Sequence, residues 1–158
     1  MRLTIIGLAL CGLSALPDPT AAQTQNAQAQ LWDAAMQGDT VALATALQHG
    51  AAIDSLDTRR SQNGRRALNW AAWHNQPSAI RFLVAHGAQI NLSNLTGFTP
   101  LHHAAENGSL EAARALLALG ADRNARNRVG QTPADVARER GQLEVVVLLD
   151  SLPPRGPQ

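Results

Sequence analysis

Five histidines, one cysteine and two pairs of acidic residues are the groups in this sequence that could do chemistry. Cys11 is the one thiol, and it lies inside the uncharged run Leu3 to Leu16. Glu106 and Glu111 could pair as general acid and base. The same placement recurs 33 residues on as Glu139 and Glu144, which reads as two copies of one solvated helix face. His49, His74, His86, His102 and His103 could bind a metal or haem. Two ligands on one helix face need four-residue spacing, and no His-x3-His pair occurs. There is no Gly-x-Ser-x-Gly nucleophile elbow and no Gly-rich phosphate loop. The expectation is no catalytic residue, no metal and no cofactor.

The elements that would carry these residues are helical. Of 158 residues, 29 are Ala and 22 are Leu, while aromatics are three Trp and two Phe. Few β-branched and aromatic residues argue against an all-β fold. An Ala- and Leu-rich chain reads as closely packed helices. All 13 basic residues are Arg, and the net charge is +1. Bulk attraction to nucleic acid is not indicated at that charge.

The first 22 residues read as an address. Arg2 precedes the apolar run, Pro17, Asp18 and Pro19 end it, and Thr20-Ala21-Ala22 supplies small residues. That order is the pattern of a secretory signal, with cleavage expected after Ala22. Fourteen residues of helix span about 21 Å, short of the roughly 30 Å hydrocarbon core of a bilayer. The mature chain would then hold no Cys and no membrane segment, and packing alone would hold it together. The short signal and the Arg and Ala bias point to a bacterial periplasmic or secreted protein.

Internal repetition sets the architecture. Gly87-Ala88 recurs as Gly120-Ala121, and Gly64, Gly97 and Gly130 share the same 33-residue spacing. Asn75, Gly108 and Gly141 form a third series. An earlier copy fits if four extra residues are allowed within Ser55 to Asn63, which contains Arg59-Arg60. Within one period, Thr99 is placed to cap a helix begun by Pro100, and Asn107-Gly108 ends it. A second helix, Leu110 to Leu119, puts Leu110, Ala113, Leu116 and Leu117 on one face.

Gly97-Phe98-Thr99-Pro100-Leu101-His102-His103-Ala104-Ala105 resembles the Gly-x-Thr-Pro-Leu-His-x-Ala-Ala motif of the ankyrin repeat. Gly130-Gln131-Thr132-Pro133-Ala134 keeps half of it, and Gly64 to Ala72 is degenerate. Leu31-Trp32-Asp33-Ala34-Ala35 fits a first copy without its hairpin. The resemblance implies an all-α repeat solenoid of about four stacked helix-turn-helix repeats with β-hairpin fingers. The expected division is a signal at 1–22, a polar linker at 23–28, repeats at 29–60, 61–93, 94–126 and 127–152, and a Pro-rich tail at 153–158. His102 would hydrogen-bond between repeats, and His103 would pack between helices. The tail Leu152-Pro153-Pro154 is expected to fold over Val147.

Partners of proteins similar to this one dock on the concave face of finger tips and first helices. Carried over by position, that face holds Arg65, Trp73 and His74, then Leu95, Phe98, Glu106 and Asn107, then Arg126, Arg128 and Arg140. Trp73, Phe98, Arg65 and Arg128 are the expected hot spots, because Trp and Arg dominate interface energies. Trp73 packing against its own finger is the competing expectation. The Arg-rich fingers fit an acidic protein or an anionic polymer. The reading is a non-catalytic, monomeric protein-binding module with no nucleic-acid partner. Two narrower readings stand beside it. One is an inhibitor of an exported toxin or enzyme. The other is an accessory factor for a periplasmic redox-defence enzyme.

Overall fold

The computed structural model describes residues 19–60 and 62–151. The apolar run with Cys11, and the tail 153–158, lie outside the described residues, so the tail contact with Val147 does too. Val147 itself is 67% exposed.

Eight helices are seen among the described residues, in four antiparallel pairs. First helices are α1 (Pro19–Gln37), α3 (Ala67–Trp73), α5 (Pro100–Asn107) and α7 (Pro133–Glu139). Second helices are α2 (Thr40–Gln48), α4 (Pro77–Ala85), α6 (Leu110–Ala118) and α8 (Leu143–Asp150). First helices stack on first helices, and second helices on second helices.

The helix ends follow from the repeated residues. Thr99 Oγ1 accepts from the backbone N–H of His102, and His102 Nδ1 accepts from that of Thr99. Thr132 and Asp135 form the same reciprocal cap one repeat later. The turn inside each pair needs a left-handed residue. Gly38, Asn75, Gly108 and Gly141 supply it with φ of 77°, 53°, 69° and 71°. Asn75 is the one non-glycine described residue there, and its Oδ1 accepts from Ala112 N–H at 2.9 Å.

The core runs the length of the stack. Ala71, Ala72, Ala104 and Ala105 are fully buried, so the first helices approach with only methyl groups between them. Leu43, Ile80, Leu83, Leu116 and Val145 fill the second-helix layer. Trp32 and Trp70 are buried as well.

Two expectations change. Residues 23–28 are not a linker but part of α1, and Ala27 is 2% exposed. Gln28 holds Ala52 in the loop after α2 by both its amide groups, with Nε2 donating to Ala52 O and Oε1 accepting from Ala52 N. The reason is that Ala27 and Leu31 lie one turn apart and continue one apolar face. The fingers also differ from laddered hairpins. Among the described residues there is one β-bridge, Asp57 to Arg65, and no extended strand. Each finger is a closed turn instead.

Candidate functional site

The face of interest is built from the fingers and the ends of the first helices. Each finger closes on itself through one backbone pairing: Asp57 N–H to Arg65 O, Asn94 N–H to Phe98 O, and Asn127 N–H to Gln131 O. In each, the side chain of the first residue accepts from the turn. Asn94 Oδ1 takes the N–H groups of Thr96 and Phe98, and Asn127 Oδ1 those of Val129 and Gln131. Asp57 Oδ1 takes those of Arg59, from backbone and Nε. The four extra residues therefore sit in the loop between Asp57 and Arg65, which lengthens that finger. Neighbouring fingers are tied by Leu95 N–H to Asn63 O at 3.0 Å and Arg128 N–H to Thr96 O at 3.2 Å.

Arg65 leaves the long finger and lies across two indoles of α3. Its guanidinium carbon is 4.2 Å from the Trp73 ring centroid and 4.6 Å from that of Trp70. Burial holds this guanidinium below its ordinary value, against the favourable charge of Glu106. The competing expectation for Trp73 is thus met in part: it stacks under its own finger and stays half-buried.

His103 is the hub beside it. Its ring is 6.1 Å from Trp73, edge-on, and 5.4 Å from Phe98. Asn94 Nδ2 donates to Nε2 of His103 at 3.4 Å. That leaves Nδ1 as the protonated nitrogen, facing Glu106 Oε2 at 3.6 Å, which is longer than a hydrogen bond. Burial pushes His103 below the ordinary imidazole range; Glu106 opposes this, while Arg65 and His102 add to it. The side chain of His103 in turn holds Glu106 low, against burial, with Arg140 and Arg65 assisting. Arg140 reaches Glu106 Oε1 at 2.8 Å from the next repeat.

Arg65, Trp73, Phe98, Glu106 and Arg140 thus fall into one contiguous patch centred on His103. Asn107 borders it, donating from Nδ2 to Trp73 O at 2.8 Å. His74 caps α3, exposed, with its ring 6.0 Å from Trp70; burial and then Arg65 lower its pKa. Leu95, Arg126 and Arg128 stand outside the patch on finger tips, exposed. Arg126 donates to Gly130 O at 2.6 Å within its own finger. Sequence reasoning missed Asn94 and Asp57 as the turn acceptors. The 33-residue recurrence of Asn94 as Asn127 was the available signal.

His102 is structural, as its motif implies. It is fully buried, and its Nε2 donates to Gln131 O at 3.0 Å across the repeat boundary. Among the described residues there is no cluster of His, Cys, Asp and Glu fit for a metal, and no helix long and apolar enough to cross a membrane.

The sequence matches the family described as Ankyrin repeats (3 copies) over residues 7–94. It also matches Ankyrin repeats (many copies) over residues 83–137. Inversin-B of Xenopus laevis is 40% identical over 53 residues, 34% of this chain and 5% of that protein. Ankyrin repeat domain-containing protein SAT10 of Stachybotrys chartarum is 35% identical over 81 residues, 51% of this chain and 4% of that protein. Human Inversin is 35% identical over 52 residues, 33% of this chain and 5% of that protein. The chain spans about a twentieth of the length of these relatives. Ankyrin repeats are protein–protein interaction modules and typically carry no catalysis. With a match over more than half its length, the chain belongs to the ankyrin-repeat family.

Proposed function

We propose that this chain acts as a monomeric module in the periplasm and captures a protein partner on its finger and first-helix face. The patch of Arg65, Trp73 and Phe98 around His103 carries the reading. It gathers two of the five aromatic residues in the chain where the repeat core does not need them. A half-buried Trp stacked under Arg is a rigid, amphipathic anchor of the kind that dominates interface energy. The exposed Arg126 and Arg128 beside it favour an acidic partner.

The address-like segment supports export. Every buried residue described lies at or after Ala27, so cleavage after Ala22 leaves the described core whole. The test is affinity capture from the periplasmic fraction with the wild-type chain and with folded Trp73→Ala. A protein enriched by the first and lost from the second supports the reading. Equal capture by both sinks it. The captured protein's activity, with and without the chain, then separates an inhibitor from an accessory factor.

A further inference from the structure

We propose that Arg65 is the receptor for a carboxylate side chain of the protein partner. The inference rests on the docking reading above and gives that surface its chemistry.

The first observation is the pose. The guanidinium carbon lies 4.2 Å from the Trp73 centroid and 4.6 Å from that of Trp70, and these cation–π contacts hold the group in place without supplying an oxygen acceptor to its N–H groups. The second is the lack of an internal acceptor. Among the described residues, the side chain of Arg65 makes no hydrogen bond and no ion pair. The nearby acid, Glu106, is committed to Arg140 at 2.8 Å and faces His103 at 3.6 Å. The third is burial. Arg65 is half-buried, so its charge has lost part of its water, while Glu106 attracts it only through space and makes no ion pair with it. A partly desolvated cation with no carboxylate in contact gains from an incoming anion that pairs with it directly.

Rigidity adds to this. The backbone of Arg65 is pinned on both sides, its N–H on Asp57 O and its C=O on Asp57 N–H. With the guanidinium also held over two indoles, less side-chain freedom remains to be lost on binding, which favours affinity. A carboxylate matches the fork geometry of a guanidinium in two parallel hydrogen bonds. One guanidinium balances one negative charge, and Glu106 close by repels a second. That selects a carboxylate over a dianionic phosphate. The indole of Trp73 and the ring of Phe98 beside it favour an apolar residue next to the acid.

A random peptide library displayed on phage and selected on the full chain tests this. Selected peptides are then measured on wild type and on folded Trp73→Ala and Arg65→Gln. The expected Trp73-dependent peptides carry Asp or Glu, and changing that residue to its amide weakens binding to wild type at least about tenfold. On Arg65→Gln the same change has no further effect, as a double-mutant cycle requires. Trp73-dependent peptides that tolerate the amide change, or lose equally on both proteins, overturn the carboxylate assignment and leave the docking reading standing. Enrichment of no Trp73-dependent peptide overturns both.

Discussion

The guanidinium of Arg65 lies 4.2 Å from the ring of Trp73, joining the long finger to α3. The contact closes one end of the candidate patch without entering the repeat core. Trp70, one turn earlier, is 6% exposed and belongs to that core. The two tryptophans should therefore separate binding from stability. Trp73→Ala is expected to cost about 1–2 kcal/mol, from lost stacking and partial burial. Trp70→Ala is expected to cost about 3–5 kcal/mol. Urea unfolding of both variants checks this; equal losses contradict it.

Gly97 and Gly130 occupy the same place in successive fingers, with φ of 82° and 84°. A Cβ on Gly97 would meet Arg128 N at 2.7 Å, whereas one on Gly130 meets nothing within 4 Å. Alanine at Gly130 is expected to cost about 1–2 kcal/mol for the left-handed backbone alone. Alanine at Gly97 should cost more and break the Thr96 to Arg128 link between fingers. Thermal unfolding ranks the two, and amide exchange at Arg128 reports the broken link. A milder effect at Gly97 than at Gly130 would refute the finger register.

His102 joins two structural tasks, the cap of α5 and the bond to Gln131 O in the next repeat. His102→Ala removes a cap and leaves buried groups unpaired, an expected loss of about 2–4 kcal/mol. Asp135→Ala, which removes the equivalent cap of α7 and an exposed ion pair with Arg138 at 3.1 Å, should cost less. Calorimetry of both variants decides; the reverse order contradicts a cross-repeat role for His102.

Acid should weaken the fold in two stages. His103 and His102 both titrate below their ordinary value of 6.5, chiefly through burial. The unfolded chain therefore binds more protons than the folded one as pH drops through that region. Their contribution is complete above about pH 6.5 and is lost as pH falls toward the folded pKa values. Glu106, held below its ordinary 4.5 first by His103, adds a second loss below that value. Melting temperature should fall between about pH 7.5 and about pH 5, and fall less in His103→Gln. A flat profile over that interval contradicts the assignment of neutral, buried imidazoles.

Much of this arrangement was legible in the sequence. The Gly-Ala marks, the Thr-Pro-Leu-His motif of α5 and its half-kept Thr-Pro copy at α7 define the pairs α5–α6 and α7–α8, and periodicity extends them to the degenerate copies. The first copy hid more. Its first helix already includes Pro19, well before the expected start at residue 29: Pro17, Asp18 and Pro19 read as the end of the apolar run, and the buried Ala27 is a small residue among polar ones. The patch was half legible. Repeat positions put Trp73, Phe98 and Glu106 on one face, but spacing says nothing of which way a long side chain turns. That Arg65 folds back on two indoles while Arg140 crosses to Glu106 depends on three-dimensional neighbours. His103 became the hub because Asn94 and Phe98 reach it from one finger, Glu106 from the next turn of α5 and Trp73 from α3.

The central claim is that the face bearing Trp73 and Phe98 holds a protein partner. The most direct measurement is the affinity of the captured partner for the wild-type chain and for folded Trp73→Ala/Phe98→Ala, by titration calorimetry. Two hot-spot losses predict a fall in affinity of about thirtyfold or more. An unchanged affinity in the folded double variant would place the partner elsewhere and contradict the claim.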